Sequence, residues 1–552
     1  MADRFRIALA QLNPVMGDIA GNLARARAAR TTAQGADVIL FSELFIVGYS
    51  PEDLVLKPAL QEDARAAVEA LAKDTADGGP AILMGTPWME DGKLYNAVAL
   101  LDGGKVAELR FKHDLPNYGV FDEKRVFAAG PLPAPITVRG VMLGVPICED
   151  IWTQAVTDAL AQTGAEILIV PNGSPFEAGK EDVRLKLAAA RVRETGLPLA
   201  YLNQLGGQDE VVYDGASFVL NADQSIAVAL PGWEERVTIT EWMRDQNGKW
   251  ICASGDTYMA EDRCSQVYHA MMLGLRDYVN KNRFPGVVLG LSGGIDSAIS
   301  AAVAVDALGA DRVRCVMLPS RYTSLDSLED ADDCARLLGV TYETIEIERA
   351  VAAMTETLSA PFAGTTADTT EENLQSRLRG VILMALSNKF GPMVLTTGNK
   401  SEMSVGYATL YGDMCGGYNV LKDIYKTEVF RLCHWRNANS PAGALGPQGT
   451  VIPTRIIEKP PTAELRANQT DQDSLPPYDV LDGILECLVE RECSFEDTVA
   501  RGYDPATVKR IEHLLYVSEY KRRQAPPGVK ISPRNFGRDR RYPITNAFRD
   551  AH

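Results

Sequence analysis

The 552-residue chain is poor in histidine, with five, and none of its nine cysteines stands in a C-x-x-C pair. A structural zinc site or a disulfide framework therefore has no spacing to build on, and scattered thiols point to a reducing cytoplasm. No apolar stretch approaches the roughly 18 residues that a membrane-spanning helix needs. The opening MADRFRIALAQLNP alternates like a strand where a secretory signal would carry an apolar core. Positive charge is also short: 56 Lys and Arg face 73 Asp and Glu, for a net charge of −17. That balance excludes a general nucleic-acid binder, whose affinity rests on neutralising phosphates. The expectation is a cytoplasmic protein with neither nucleic-acid nor membrane partner. Small anionic ligands stay open, because beyond about 8 Å charges are screened at physiological salt and local clusters decide.

What is present divides in two. The first half repeats short β-branched runs: Phe5–Ala10, Val38–Phe41, Ala81–Gly85, Ala97–Leu101, Val141–Ile147, Ile167–Val170, Pro198–Asn203 and Ser217–Leu220. Helical patterns at Asn22–Gln34, Ala64–Lys73 and Val183–Thr195 lie between them, and Asp102-Gly103-Gly104 joins a hairpin to Val106–Phe111. This mixture predicts a mixed-sheet α/β domain over residues 1–255. From 256 to 552 strands and helices alternate: helix Glu261–Lys281, strand Gly286–Leu291, an Ala-rich helix, strand Arg312–Met317, helix Ser324–Leu338, strand Thr341–Ile347. Such alternation predicts a doubly wound parallel sheet. Residues 437–453, rich in Ala, Gly, Pro and Asn, read as a mobile surface loop. The last 32 residues read as a Pro- and Arg-rich wrap outside the core.

The second domain carries a phosphate-binding turn. Gly290-Leu291-Ser292-Gly293-Gly294-Ile295-Asp296-Ser297 joins a buried strand to an Ala-rich helix. Glycines there let backbone amides approach a ligand, and the helix start adds partial positive charge. It is neither the Walker sequence nor a dinucleotide fingerprint, since both G-K-[ST] and G-x-G-x-x-G are missing. Thr396-Thr397-Gly398-Asn399-Lys400-Ser401-Glu402 follows the strand Met393–Leu395, so Glu402 and Asp296 stand at two strand ends and can share a Mg2+ ion.

In the first domain three reactive residues end apolar runs: Glu43 after Ala36–Ser42, Lys112 after Val106–Phe111, and Cys148 after Val141–Ile147. Cysteine is a nucleophile when a nearby ammonium favours its thiolate, which Lys112 can supply before stabilising an oxyanion. Glu43 can take the thiol proton and later activate water. Glu123, eleven residues after Lys112, can orient the lysine.

These motifs resemble two known families. The Glu43, Lys112 and Cys148 set, in the contexts F-S-E-L-F, R-F-K-H-D-L-P-N-Y-G-V-F-D-E-K-R and C-E-D-I-W, resembles the nitrilase (carbon–nitrogen hydrolase) superfamily. S-G-G-I-D-S resembles the pyrophosphate loop of N-type ATP pyrophosphatases. Glu371–Arg379, Lys459–Leu465 and Glu519–Arg523 narrow that match to NAD+ synthetases of the glutamine-dependent kind.

The resemblance implies an α-β-β-α sandwich followed by an adenine-nucleotide-hydrolase-like parallel-sheet domain. It implies ATP as co-substrate with Mg2+. It further implies that Tyr118, Ser174 and Lys180 hold glutamine with Tyr49 aligning it, that Thr397 and Lys426 join the turn in contacting ATP, and that Asn373, Arg377, Glu402 and Lys521 contact deamido-NAD+. An enclosed path for ammonia and a homo-oligomer, with the synthetase site at a dimer interface, are implied as well. The competing readings are another amidotransferase on the same pyrophosphatase fold, whose glutaminase would differ, and a non-catalytic first domain, which an intact Glu–Lys–Cys set opposes.

Overall fold

The computed structural model describes residues 3–550, so the ends of the predicted first strand and of the predicted tail, at 1–2 and 551–552, lie outside the described residues. The chain forms two compact units, Met1–Glu261 and Asp262–His552.

In the first unit, period-two alternation sorts side chains to the two faces of each sheet. The seven-stranded sheet has the order Trp250–Cys252, Arg236–Arg244, Arg4–Gln11, Val38–Leu40, Ala81–Glu90, Lys93–Asp102, Lys105–Phe111. The six-stranded sheet runs Ile226–Ala229, Phe218–Leu220, Leu199–Asn203, Ile167–Asn172, Val141–Gly144, Ile136–Val138. Ile7, Leu9, Val38 and Leu83 of one sheet pack on Leu143, Ile167, Ile169 and Leu202 of the other. Ala8, Ala10, Ile39 and Met84 face the opposite way, against Ala26, Val68 and Leu71 of the helices Ile19–Thr32 and Pro58–Asp74. Leu168, Val170 and Tyr201 meet the helices Gln154–Gln162 and Lys180–Thr195 through Leu160 and Val192. The layers are α-β-β-α.

One hairpin stands where the sequence pattern predicts only the two shorter strands Ala81–Gly85 and Ala97–Leu101. Ala81–Glu90 pairs with Lys93–Asp102 through an Asp91-Gly92 turn whose residues sit at φ 50° and 72°. Positive φ at both positions is the geometry that Asp-Gly favours in two-residue hairpins.

In the second unit every pairing of the five-stranded sheet is parallel. Its order is Thr341–Thr344, Val313–Met317, Val287–Gly290, Met393–Thr396, Tyr418–Asn419. The strands after Val287–Gly290 step first to one side and then to the other. The crevice beyond the C-terminal ends of Val287–Gly290 and Met393–Thr396 is therefore the switch point where open α/β sheets bind ligands.

Two expectations are corrected. The loop 437–453 lacks helix and strand beyond Ala438, where the helix Lys426–Ala438 ends, but it is pinned. Arg436 donates to the Asn439, Pro447 and Gly449 carbonyls and pairs with buried Asp306, while Asn437 holds Val451 and Ile452. One guanidinium and one amide satisfy the backbone that Gly and Pro leave unpaired. The tail also enters the core: Val529, Ile531 and Phe536 are buried, Phe536 against Leu481 and Ile511. Its basic residues are spent internally, Lys530 on Asp539 at 3.0 Å and Arg534 on Glu492 at 2.7 Å. Among the described residues no helix is long and apolar enough to cross a membrane.

Candidate active site

The first unit gathers strand ends from both sheets around a buried thiol. Val38–Leu40 runs into a loop that carries Glu43, fully buried because its neighbour Gly85 leaves room. A Cβ on Gly85 would be driven into the Ser42 carbonyl and lie 2.9 Å from the Glu43 carbonyl carbon. Gly85→Ala is therefore expected to cost about 1–3 kcal/mol of stability through overpacking. Thermal unfolding checks it.

Lys112 follows the strand Lys105–Phe111, its backbone N–H on the Asn96 carbonyl at 2.8 Å. Its buried ammonium donates to Glu43 Oε1 at 2.6 Å and to Glu123 Oε1 at 2.9 Å. Asn96 Nδ2 donates to Glu43 Oε1 at 2.8 Å, the Gly173 N–H to Glu43 Oε2 at 3.0 Å, and the Tyr49 hydroxyl to Glu123 Oε1 at 2.7 Å. Cys148, 3% exposed, opens the short 3-10 turn Cys148–Ile151 at φ 47°, a left-handed backbone that strains a residue with a Cβ.

Charge in this site is close to balanced. Burial would lower the Lys112 pKa, but the Glu123 and Glu43 carboxylates outweigh it and keep the ammonium charged. Burial, and then the Glu43 charge, push the Cys148 thiol well above its ordinary value, with Lys112 pulling the other way. Burial first, and the Glu43 charge second, thus favour the thiol over the thiolate that a lone ammonium would promote. Burial likewise raises Glu123 against the pull of Lys112.

The predicted glutamine residues lie in the same unit. The Tyr118 hydroxyl, half-exposed, donates to Glu149 at 3.0 Å and lines a cleft with His113, Lys124 and Thr153. Lys180 starts the helix Lys180–Thr195, its ammonium 5.9 Å from the Phe121 ring centre. Ser174 is buried, its N–H on Asn203 Oδ1 at 2.9 Å. Asn96 went unread in the sequence; its signal is one amide inside the apolar run of Lys93–Asp102.

In the second unit the loop from Gly290 to Ser297 closes on itself. The Ser292 N–H meets Ser297 Oγ at 3.2 Å, and Ser297 Oγ donates to the Gly294 carbonyl at 2.9 Å. Gly293 sits at φ 75° with the Ser327 backbone where a Cβ would lie, so only glycine fits. The helix Ile295–Leu308 starts here and aims its N-terminal amides into a cleft of about 300 Å³. Thr397, Glu402, Lys426, Arg379, Lys459 and Asp471 line the same cleft.

Asn399 caps the helix Lys400–Val405 in a capping box with Glu402 and donates to Asp296 Oδ1 at 3.0 Å. Lys426 is ion-paired with Asp296 and stands 3.6 Å from Glu402. Burial, then the Asp296 charge, raise Glu402 to about 8. Burial lowers the Arg379 guanidinium to about 10.

Three of the four predicted dinucleotide residues converge on one loop, residues 406–413, while Glu402 stays at the cleft. Lys521 donates to the Gly406 and Ala408 carbonyls at 2.7 Å, Arg377 to the Leu410 carbonyl at 3.2 Å, and Asn373 accepts from Thr409 Oγ1 at 2.9 Å. Next to Glu402, Lys400 is buried on Asp423 at 2.7 Å, on Glu490, on Ser532 Oγ at 2.7 Å and on the Arg534 carbonyl at 3.0 Å.

Residues 6–251 match the carbon-nitrogen hydrolase family and residues 267–525 the NAD synthase family. A thiol hydrolase unit and an ATP-using synthase unit in one chain define an enzyme of the carbon–nitrogen ligase type. A glutamine-dependent NAD(+) synthetase of Rhodobacter capsulatus is 56% identical over the whole of both chains. The structure of glutamine-dependent NAD+ synthetase from Acinetobacter baumannii in complex with adenosine diphosphate is 42% identical, covers 99% of each chain and superposes with a TM-score of 0.78. A counterpart from Cytophaga hutchinsonii shares the fold at a TM-score of 0.83 and 22% identity, covering 99% of this chain and 98% of its own. The chain belongs to the glutamine-dependent NAD+ synthetase family.

Proposed function

We propose that the protein converts ATP, deamido-NAD+, glutamine and water into AMP, diphosphate, NAD+ and glutamate. The observation that carries this reading is the pairing, in one chain, of a buried Glu43–Lys112–Cys148 set with a phosphate-binding loop at a parallel-sheet switch point. Glu43 takes the Cys148 proton as Sγ attacks the side-chain amide carbon of glutamine. Lys112, held by Glu123, stabilises the oxyanion. Glu43 returns the proton to the departing ammonia, leaving a glutamyl thioester that water, activated by Glu43, hydrolyses to glutamate. Tyr118, Ser174 and Lys180 hold the glutamine, and Tyr49, whose hydroxyl donates to Glu123, aligns it.

In the second unit a carboxylate oxygen of deamido-NAD+ attacks the α-phosphorus of ATP and diphosphate leaves. Ammonia then displaces AMP from the adenylated dinucleotide. The amides of residues 290–297, with Thr397 and Lys426, receive the phosphates, and Asn373, Arg377, Glu402 and Lys521 receive deamido-NAD+. Asp296 and Glu402 suit Mg2+: both are hard oxygen donors that line one cleft, and the Asp296 charge is, after burial, a cause of the raised Glu402 pKa. Bound there, the ion would neutralise charge on the leaving diphosphate.

Ammonia is mostly protonated in water at neutral pH, so its transfer out of contact with bulk water preserves the nucleophile. The exposed Val381 and Phe390 of helix Thr369–Phe390 support a homo-oligomer, which solution molar mass tests. Nine free cysteines support a reducing, cytoplasmic setting.

The deciding experiment gives purified protein ATP, Mg2+ and deamido-NAD+ with either glutamine or ammonium chloride. NAD+ and AMP formed in step with both nitrogen sources support the whole reading. NAD+ from ammonium alone would remove the glutaminase half, and none from either would remove the synthetase assignment.

A further inference from the structure

We propose that Asp150 is a positioning residue of the thiol site, its one carboxylate setting the spacing between the segment that ends in Lys112 and the segment that ends in Cys148. Asp150 Oδ1 accepts the N–H groups of His113 at 3.0 Å and Asp114 at 2.8 Å, the two residues directly after Lys112. Asp150 Oδ2 accepts the N–H of Ile147 at 2.9 Å, the residue directly before Cys148.

The two segments belong to different sheets. His113 and Asp114 continue from Lys105–Phe111 of the seven-stranded sheet, and Ile147 lies beyond Val141–Gly144 of the six-stranded one. The two inner faces meet through apolar side chains, whose attraction has no direction and does not fix the offset of one sheet against the other. Three directional hydrogen bonds to one carboxylate, 1% exposed, do fix it at this point. The Ile147 bond also braces the left-handed Cys148, a conformation that persists in a non-glycine residue only when its surroundings impose it. Burial raises the Asp150 pKa to about 6, with N–H donation from Asp114 and Ile147 working against it, so the carboxylate is ionised at neutral pH. Its neighbour Glu149 is turned to a different task, accepting the Tyr118 hydroxyl.

The inference rests on Cys148 being the glutamine nucleophile. Asp150→Asn keeps the shape but offers one carbonyl oxygen and one NH2, so at least one of the three backbone donors faces another donor. Three readouts are compared in wild type, Asp150→Asn, Asp150→Glu and Cys148→Ala: steady-state kinetics with glutamine, the rate of Cys148 alkylation by iodoacetamide, and NAD+ formation from ammonium chloride.

Asp150→Asn is expected to lower kcat with glutamine by about 10- to 100-fold, the scale set by sub-ångström to 1 Å misplacement of reacting groups. The KM for glutamine should stay within about threefold of wild type, alkylation should slow in parallel, and the ammonium-dependent rate should be kept. Wild-type kcat and alkylation in Asp150→Asn would overturn the proposal, as would equal loss with both nitrogen sources, which marks a folding role. If Asp150→Asn does not accumulate as folded protein, Asp150→Glu, which keeps the charge, decides instead: a kcat loss at steady KM supports the proposal and a wild-type kcat overturns it. Full glutamine-dependent activity in Cys148→Ala would instead overturn the nucleophile assignment on which the inference stands.

Discussion

Cys148→Ala is expected to cut glutamine-dependent NAD+ formation by about 10³-fold or more, the scale on which removing a nucleophile acts, and to leave formation from ammonium chloride near the wild-type rate. The expectation follows from the division of labour between the units. Cys148 lies in Met1–Glu261 with Glu43, Lys112 and Glu123, whereas the phosphate loop, Glu402 and Lys426 lie in Asp262–His552. Deleting one sulfur from a buried, close-packed position leaves a small gap and no unpaired charge, because Lys112 remains paired with both carboxylates. Side-by-side assays at saturating glutamine and ammonium give the ratio, and equal loss with both sources would make Cys148 a structural residue.

Asp296→Asn should abolish NAD+ formation from either nitrogen source, by about 10²-fold or more, the loss typical when charge stabilisation of a transition state is removed. Both sources require activation of the dinucleotide carboxylate, and Asp296 stands at the head of the helix that faces the cleft, tied to Lys426 and to Asn399. The substitution preserves the side-chain shape, removes one of the two hard anionic donors, and leaves Lys426 with Glu402 as its remaining anionic neighbour in the pair. Glutamate release from glutamine, measured alone, should outlast the loss of NAD+ formation. Retention of AMP production by the variant would argue against a part for Asp296 in activating the carboxylate.

The layers and the candidate chemistry were legible in the sequence for a shared reason: strand ends are marked by apolar runs, and reactive residues stood directly after them. Glu43, Lys112 and Cys148 each announced themselves this way. Asn96 did not, because its partners Glu43 and Glu123 are 53 and 27 residues away and only the fold brings them together. The Ala81–Asp102 hairpin went unread, its strands taken as the shorter runs Ala81–Gly85 and Ala97–Leu101 because Pro87 interrupts the pattern, although Asp91-Gly92 is a recognisable turn signal. Asn399-x-x-Glu402 was readable as a capping box, but its second hydrogen bond, to Asp296, is a long-range fact. The loop 437–453 was misjudged as mobile because its order comes from Arg436 and Asn437 side chains, which composition does not reveal.

The Lys400 clamp has a consequence for how the enzyme comes off the ribosome. Two of the groups that bury this lysine, Ser532 and the Arg534 carbonyl, are contributed by the tail, and the lysine stands two residues before Glu402 in the same helix. The thiol site, by contrast, lies in a unit whose last strand is Trp250–Cys252. At about 5–20 residues per second, the roughly 300 residues in between take on the order of 15–60 s to synthesise. For that interval a nascent chain carries all of the first unit and a cleft whose last fastener has not been made. On the proposed reaction, a newborn chain at that stage would hydrolyse glutamine with no acceptor for the ammonia.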